Sequence, residues 1–277
     1  MITSEVNITS KSGNTLALNI RIPDTAVKGV IQINTGTCIP QKVYWKFAEF
    51  LTNNGYVTIT YDYSDAANYS SDVSHTEWLK DIESVTDYIL QTYPTEKKYM
   101  VGHSSGGQFI GYINNCDKID KVFLVACANG YVGNLGFFTK AGMQLFWKLI
   151  VPFSIKRYGY MNNKLLGANG GFPKNIITEL GSWCKQPDFF VPFFKERNIP
   201  SYFHTITNPV KAYHLEDDTI ANRKSCEYIL NLHTNADKSI ETLNAKDFGM
   251  KKFGHRGFFF SSAEKTLWQK FLTDLEQ

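Results

Sequence analysis

The chain of 277 residues carries a net charge of +3, with 43% hydrophobic and 20% charged residues, which is ordinary for a folded protein with a substantial core. This charge is too small, and the basic residues are too dispersed, to indicate a nucleic-acid partner. The five cysteines are widely spaced and include no Cys-x-x-Cys pair, so we expect neither a disulfide framework nor a zinc site.

The first residues and one apolar run bear on the compartment. Residues Met1 to Ser10 lack the basic region and the apolar core of a signal peptide. The run Leu149 to Phe153 is too short to cross a bilayer. We therefore expect a cytoplasmic protein with no stable membrane insertion.

Strands and helices alternate along the first part of the chain. Apolar alternation and helical spacing predict a hairpin over 5–22, strands over 29–33 and 56–62, and a helix over 41–51. Ser74-His-Thr-Glu77 is a capping-box pattern that opens a further helix, which Pro94 ends. The apolar run 122–127 is typical of a strand buried on both faces. This rhythm predicts an α/β fold, with a mostly parallel sheet and helices on both faces.

A Gly-x-Ser-x-Gly motif, Gly102 to Gly106, ends the strand that begins near Lys98, and we expect a helix from Gln108 to about Asn115. In such a nucleophile elbow the strand turns into a helix within a few residues, so Ser104 takes a strained conformation with its Oγ exposed. The flanking glycines are needed because a Cβ there would collide with neighbouring backbone. The first turn of the helix directs free N–H groups at the place where an oxyanion would form.

The rhythm breaks between about Gly130 and Ser201, where the sequence is aromatic and interrupted by prolines. This segment predicts a helical cap, over 131–201, inserted into a core formed by 1–130 and 202–277. Its aromatic residues have two interpretations, packing of the cap itself or an interfacial surface for lipid substrates.

The alternation resumes after the cap. It predicts a strand over 209–215, a helix from about 220 to 232, a last strand over 239–243, and a terminal helix opened by Ser261 to Glu264. Asp218 follows the first of these strands, and His255 lies in the loop after the last one. Those loops surround an elbow at the same edge of a parallel sheet. The order Ser104, Asp218, His255 is that of a serine-hydrolase triad, with His255 as the base and Asp218 as the group that orients it.

Other residues compete for these roles. Glu216 and Asp217 adjoin Asp218, which is favoured because the helix begins just after it. His214 lies inside a strand and His103 inside the elbow, where packing is the more usual role. The remaining histidines, His75, His204 and His233, have no loop context that suggests catalysis.

The oxyanion would be held by backbone donors. One is the N–H of Ser105, next after the nucleophile, and the other comes from the loop after the early strand. That loop is Thr35-Gly36-Thr37, which predicts the N–H of Thr37 as the second donor, with Cys38 as the alternative.

These motifs give a family resemblance. The chain resembles the α/β-hydrolase superfamily over nearly its whole length, and it is similar to a branch of predicted bacterial hydrolases. The shared motifs are Gly102-His-Ser104-Ser-Gly-Gly107, Trp183-Cys184, Leu215-Glu-Asp-Asp218 and Gly254-His255-Arg-Gly-Phe-Phe259. The resemblance implies Ser104 as nucleophile, His255 as base and Asp218 as orienting acid. Where that branch has Asp-Tyr-Arg-Gly, this chain has Asp62-Tyr-Ser-Asp65, so one wall of the pocket should differ.

The expected function is hydrolysis of a small-molecule carboxylic ester through an acyl-serine intermediate, without a metal or organic cofactor. The aromatic cap suggests small to medium substrates with an apolar acyl or aryl group. The same triad could serve an amidase or peptidase, a thioesterase or an acyltransferase, and the fold could also serve a non-catalytic ligand-binding protein. A homodimer is possible on this sequence.

Overall fold

The structure is a computed structural model that describes residues 1–167 and 169–277. Its first six strands are β1 (Ile2–Thr9), β2 (Thr15–Ile22), β3 (Gly29–Asn34), β4 (Tyr56–Tyr61), β5 (Lys98–His103) and β6 (Lys121–Val125). The later strands are β7 (Met161–Asn162), β8 (Gly171–Phe172), β9 (Val210–Leu215) and β10 (Lys238–Leu243). The short strands β7 and β8 pair only with each other.

The other described strands form an eight-stranded sheet in the order β1-β2-β4-β3-β5-β6-β9-β10. Strand β2 is antiparallel to both of its neighbours, and every pair from β4 across to β10 is parallel. The predicted mostly parallel sheet is therefore confirmed. Strand β5 lies between β3 and β6, so the loops that follow these three strands meet at one edge of the sheet.

The described α-helices are α1 (Trp45–Asn53), α2 (His75–Thr92), α3 (Ser105–Gln108), α4 (Phe137–Leu145), α5 (Val151–Tyr158), α6 (Lys174–Trp183), α7 (Val191–Glu196), α8 (Arg223–Asn231) and α9 (Gln269–Glu276). They cover both faces of the sheet, as predicted. Met100 of β5 belongs to a buried cluster with Trp78 of α2, whereas the next residue, Val101, belongs to a second cluster with Phe47 and Phe271. Alternate strand residues thus feed two cores.

The capping box that opens α2 is present. Glu77 Oε2 accepts a hydrogen bond from the backbone N–H of Ser74 at 2.9 Å, and Ser74 Oγ accepts one from Thr76 N–H at 3.2 Å. The analogous pattern at Ser261 makes no side-chain cap. There a short 3₁₀ turn and one wide helical turn precede α9.

The helix predicted from Gln108 to about Asn115 is wrong. Helix α3 ends at Gln108, and single 3₁₀ turns at Ile110–Tyr112 and Cys116–Lys118 follow it. Three glycines within seven residues disfavour a longer helix, because glycine loses the most backbone entropy. Close packing adds to this, since a Cβ at Gly111 would lie 2.2 Å from the ring of Phe203.

The segment between β6 and β9 has two halves that pack differently. The inner half, from Lys174 onward, adds Trp183, Phe190 and Phe194 to the same buried cluster as the sheet. In the outer half, α4 to β8, Val151 and Met161 pack on Ile177 of α6 in a small third cluster. The inner half is therefore continuous with the main core, and the outer half contacts that core through the partly buried Trp147 and Phe172.

Inner-half residues also fasten this segment to α2. Nδ1 of the buried His75 lies 2.7 Å from Glu179 Oε2, and the His75 ring lies 4.4 Å from the Trp183 ring between centroids. Further contacts tie the segment to the loop after β4, where the rings of Tyr69 and Tyr160 stack 5.4 Å apart. On the other side, Asn222 Nδ2 donates to Asn134 O at 3.0 Å.

The packing of the elbow predicts the effect of two glycine substitutions. In Gly102→Ala the new Cβ would lie 2.3 Å from the Gly107 Cα, so backbone must move, and we expect a loss of at least about 2 kcal/mol of unfolding free energy. Gly142→Ala, in the exposed α4, meets no atom within 4 Å and should gain about 1 kcal/mol from helix propensity. Denaturant unfolding of both variants measures this, and equal effects at the two positions would contradict the described contact.

Candidate active site

Ser104 occupies a strained turn between β5 and α3. Its backbone has φ 52° and ψ −122°, in the left-handed region that residues with a side chain rarely adopt. Its N–H donates to Val125 O of β6 at 3.0 Å, which anchors the turn. A Cβ on Gly106 would lie 2.5 Å from Asn34 O, so the glycine lets the loop after β3 approach. The partly exposed Ser104 side chain therefore projects at the carboxyl edge of the sheet.

Asp218 and His255 form a direct pair. Asp218 follows β9, His255 follows β10, and the distance from Asp218 Oδ2 to His255 Nδ1 is 2.6 Å. The Asp218 side chain is 1% exposed and that of His255 22% exposed. The other oxygen, Asp218 Oδ1, accepts hydrogen bonds from the N–H groups of Ile220 at 2.9 Å and Ala221 at 3.1 Å. This turn explains why α8 begins only at Arg223 rather than near residue 220.

The surroundings of Asp218 keep it ionised. Burial alone would raise the pKa of its carboxyl, but the hydrogen bond and the charge of His255, together with the two backbone N–H donors, hold that pKa below its usual value. A carboxylate fixed in this way accepts from Nδ1–H, which leaves Nε2 of His255 free to accept a proton.

The neighbouring acid, Asp217, has a separate role. Its two oxygens accept hydrogen bonds from the backbone N–H groups of Phe253 and Gly254, each at 2.9 Å. Gly254 has φ +54°, a conformation that glycine adopts without strain. Asp217 thus holds the loop that carries His255, while Asp218 contacts the ring. From the sequence, Asp217 was only an alternative to Asp218 as the orienting acid. The adjacent positions of the two residues did not indicate that their roles differ.

Ser104 and His255 lie close but are not joined directly. The rings of His103 and His255 are 5.0 Å apart between centroids, which places the imidazole beside the elbow. Both residues lie in the described part of the chain, and no hydrogen bond there links Ser104 Oγ to the His255 ring. Such contacts are often long in an unliganded site and shorten when substrate binds.

His103 links the elbow to two loops, although the sequence suggested only packing for it. Its Nε2 lies 2.8 Å from His255 O, and its Nδ1 lies 2.7 Å from Tyr44 Oη. A carbonyl can only accept, so Nε2 carries the proton and Nδ1 accepts from the Tyr44 hydroxyl. That hydroxyl accepts in turn from Gly36 N–H at 2.9 Å. One chain of hydrogen bonds therefore runs from the loop after β3 to the backbone of His255.

The His103 ring is neutral in this chain. It is fully buried, and burial, followed by repulsion from His255, lowers its pKa to about 3. The only sequence signal for this arrangement is a histidine directly before the serine. Tyr44 is 59 residues away, so spacing could not identify it.

The loop after β3 lies against the nucleophile. A Cβ on Gly36 would be 3.4 Å from the Cβ of Ser104. The N–H of Gly36 is already used by Tyr44, whereas the N–H groups of Thr37 and Cys38 have no partner within residues 1–167 and 169–277. Thr37 Oγ1 donates to Ser105 Oγ at 2.8 Å and so fixes the loop beside the first residue of α3.

The remaining candidate histidines lie elsewhere. His75 pairs with Glu179, His214 Nδ1 contacts Thr242 Oγ1 at 3.2 Å, and His233 Nδ1 lies 3.3 Å from backbone carbonyls of α8. The ring of His204 is exposed. The third acid, Glu216, accepts from Asn244 Nδ2. In the described part of the chain none of these side chains makes a hydrogen bond to the side chain of Asp218 or His255.

The loop after β4, which contains Asp62-Tyr-Ser-Asp65, is held by two hydrogen bonds to neighbouring loops. Asp62 Oδ1 accepts from Gln41 N–H at 2.7 Å, at the start of the turn before α1. The next residue, Tyr63, donates its hydroxyl to Thr35 O at 3.0 Å. The loop after β4 therefore contacts and stabilises the loop after β3.

No family model matches the sequence, and no curated protein sequence matches it. A soluble variant of monoglyceride lipase from Saccharomyces cerevisiae, solved with a substrate analogue, is 15% identical with a TM-score of 0.68, over 100% of this chain and 95% of that one. A thermostable carboxyl esterase from Bacillus coagulans is 11% identical with a TM-score of 0.62, over 100% and 98%. Alpha/beta hydrolase domain-containing protein 10 from mouse is 18% identical with a TM-score of 0.60, over 99% and 98%. At such identities the likeness shows the fold alone.

Burial of neutral His103 makes stability depend on pH. Its pKa is about 3 when folded and 6.5 when unfolded, so the unfolded chain binds more protons between these values and stability falls as pH falls. Between about pH 7 and about pH 5 this residue should remove on the order of 2 kcal/mol of unfolding free energy. His103→Gln should lack that part of the decrease, as measured by denaturant unfolding at both pH values.

The matched control is His204→Gln, which replaces an exposed ring and should keep the pH dependence of the original chain. Only the difference between the two pH values is compared, because His103→Gln also changes hydrogen bonds at both. An unchanged pH dependence in His103→Gln would show that His103 is not held neutral.

Proposed function

We propose that this chain, which has the α/β-hydrolase fold, is a serine hydrolase that cleaves carboxylic esters through an acyl-serine intermediate. The observation that carries the proposal is the Asp218–His255 pair, 2.6 Å apart, beside a serine held at φ 52°. A serine hydroxyl is a weak nucleophile unless a base oriented by a third group takes its proton. Such an orienting contact and a strained serine at one sheet edge are more than packing requires.

In the proposed reaction Ser104 is the nucleophile, His255 transfers the protons and Asp218 orients His255. Ser104 Oγ attacks the ester carbonyl while Nε2 of His255 takes the hydroxyl proton, because Nδ1 is engaged by Asp218. His255 then gives that proton to the departing alkoxide as the carbon–oxygen bond breaks, which leaves the acyl group on Ser104. In the second half of the reaction His255 takes a proton from water, whose oxygen attacks the acyl carbon. The bond from that carbon to Ser104 Oγ then breaks, His255 returns the proton to Ser104, and the carboxylic acid is released. Asp218 remains a carboxylate and stabilises the imidazolium that forms.

The oxyanion is proposed to bind the N–H of Ser105 and the N–H of Thr37. The contact between the Thr37 and Ser105 side chains supports this pairing, since it holds the two residues next to each other beside Ser104. Cys38 is the alternative second donor, because its N–H is equally free of partners within the described residues. Loss of one such donor typically costs about 3 kcal/mol of transition-state stabilisation.

We propose that residues 131–201 cover this site. Contacts of the segment with the loop after β4 and with Asn222, just before α8, support this, since both loops follow strands parallel to β5 and so lie at the same edge of the sheet as Ser104. The proposed substrates are small to medium esters with an apolar acyl or aryl group. Trp183, Phe190 and Phe194 are buried in the main core, so the exposed apolar side chains of the outer half are the stronger candidates for contact with a substrate.

Ser104→Ala should remove esterase activity. With p-nitrophenyl esters of increasing chain length, we expect the original chain to turn over medium acyl chains faster than acetate. We expect Ser104→Ala to be slower by at least about 10⁴-fold, because the nucleophile is gone. A fluorophosphonate probe should label the original chain and not Ser104→Ala.

The matched control is Ser105→Ala, which keeps the backbone N–H and should still be labelled. Labelling that persists in Ser104→Ala, or the absence of both labelling and turnover in the original chain, would contradict the proposed function. The second outcome would favour the ligand-binding alternative.

The two neighbouring aspartates should differ in kinetics. Asp218→Asn should lower kcat by about 10⁴-fold, because the amide favours the wrong tautomer of His255. Asp217→Asn loosens only the backbone of the His255 loop, so we expect a loss of about tenfold with a lower unfolding free energy. Steady-state kinetics and denaturant unfolding of both variants test this, and the reverse ranking would assign the orienting role to Asp217.

A further inference from the structure

One helix of the outer half exposes apolar side chains along its length. Helix α4, a wide turn at Phe146–Ile150 and α5 follow one another without a break, from Phe137 to Tyr158. At 1.5 Å per residue this outer helix is about 33 Å long. The wide turn has a local cause, since Pro152 lacks an N–H and its ring displaces the carbonyl four residues earlier.

The exposed apolar residues form a stripe, which we call the outer stripe. Phe138 is 88% exposed, Leu149 61% and Phe153 58%, and Leu145 lies between them at 53%. Their spacing of four to seven residues places them along one side of a helix. Residues between them, such as Val151, face inward and pack on Met161 and Ile177. Large apolar side chains at such exposure on one face mark an interaction surface.

All charged residues within 121–178 are basic. The sequence has no Asp or Glu between Asp120 and Glu179, whereas residues 131–178 contain six basic residues. They are Lys140, Lys148, Lys156, Arg157, Lys164 and Lys174. Three of them, at 140, 148 and 156, recur every eight residues along the outer helix. An apolar stripe among cations, with no anion to neutralise them, is typical of helices that lie on anionic membranes.

A groove beside the outer helix is also lined by apolar side chains and lysines. It has a volume of about 460 Å³ and lies between α5 and α6. Its walls are apolar side chains of α5, of α6 and of the wide turn before α5, among them Ile155, Ile177 and Trp147. Its cations are Lys156 and Lys185. Its lining residues include no acid. An apolar trough with ammonium groups suits the acyl chain and phosphate of a lipid.

The outer helix suits the surface of a bilayer and not its interior. Among residues 1–167 and 169–277, no helix combines the length and apolar character that crossing a membrane requires. Lysines at 140, 148 and 156 would carry charge into the hydrocarbon if it did cross. Lying flat, the outer helix can bury the stripe and leave these ammonium groups among lipid phosphates.

A second copy of the chain fits this surface less well. A two-fold dimer pairs a patch with itself, so lysines of one copy would face lysines of the other. No Asp or Glu within 121–178 could offset that repulsion. An anionic bilayer supplies the complementary charge directly.

We propose that the outer helix docks this protein onto anionic lipid bilayers, with the outer stripe in the interface and its lysines on lipid phosphates. This inference goes beyond the proposed function and does not depend on it.

Co-sedimentation with vesicles tests the proposal, using the full chain with Ser104→Ala so that hydrolysis plays no part. We expect binding to vesicles with about 30% phosphatidylserine and little binding to phosphatidylcholine alone. Raising salt from about 0.1 M to about 0.5 M should weaken it by at least about tenfold. Lys140→Gln, Lys148→Gln and Lys156→Gln together should weaken it on the order of 100-fold, since each lysine contributes about fivefold.

The contribution of the outer stripe is tested by a separate double variant, which has a matched control. Phe138→Ser with Phe153→Ser should weaken vesicle binding by at least about tenfold. Ile2→Ser with Val27→Ser removes two exposed apolar side chains outside the segment and should bind as the parent does. Lys224→Gln, Lys246→Gln and Lys265→Gln is the control for charge.

Equal losses in the variants and their controls would overturn the proposal, as would equal binding to neutral and anionic vesicles. Mass measurement by light scattering distinguishes self-association. If the stripe variant abolishes a dimer and the parent binds no vesicles, this face pairs two copies and the docking proposal is wrong.

Discussion

The constraint on which the structure depends is the turn at Ser104, where strand β5 must become a helix within one residue. The positive φ of the serine is tolerated because glycines on both sides let backbone segments touch. Gly102 lies against Gly107, and Gly106 lies against the carbonyl of Asn34. These contacts bring the loop after β3 beside the nucleophile, so the geometry that strains Ser104 also positions its candidate oxyanion donors.

Hydrogen bonds then link the parts that surround this turn. His103 joins the Tyr44 hydroxyl to the carbonyl of His255, and Tyr44 joins His103 to Gly36. Asp217 accepts hydrogen bonds from the backbone of the His255 loop, and Asp218 contacts the His255 ring. The loop and ring of the candidate base are therefore fixed by His103 of β5 and by two adjacent acids of the loop after β9. Positioning of this kind reduces the reorganisation that a reaction requires.

The sequence predicted the features that arise from local pattern. Alternation and helical spacing predicted the sheet and its flanking helices, and the order of Ser104, Asp218 and His255 predicted which loops would meet. It failed where tertiary contacts decide, as in the short helix after the elbow, because Gly106 packs against Asn34, Gly107 against Cys127 and Gly111 against Phe203. The sequence also did not predict the roles of Asp217 and Tyr44. Asp217 binds backbone N–H groups, and Tyr44 is far along the chain from its partner His103, so neither contact produces a periodic pattern.

The buried contact between His75 and Glu179 has a consequence for how the chain opens. Separating the inner half from α2 would leave a carboxylate and an imidazole without partners and would expose the rings around Trp183. We therefore expect that region to open at a higher free energy than the rest of the segment. The outer half contributes few buried apolar residues, so we expect it to open first by local unfolding. The two halves of one continuous segment should therefore differ in stability.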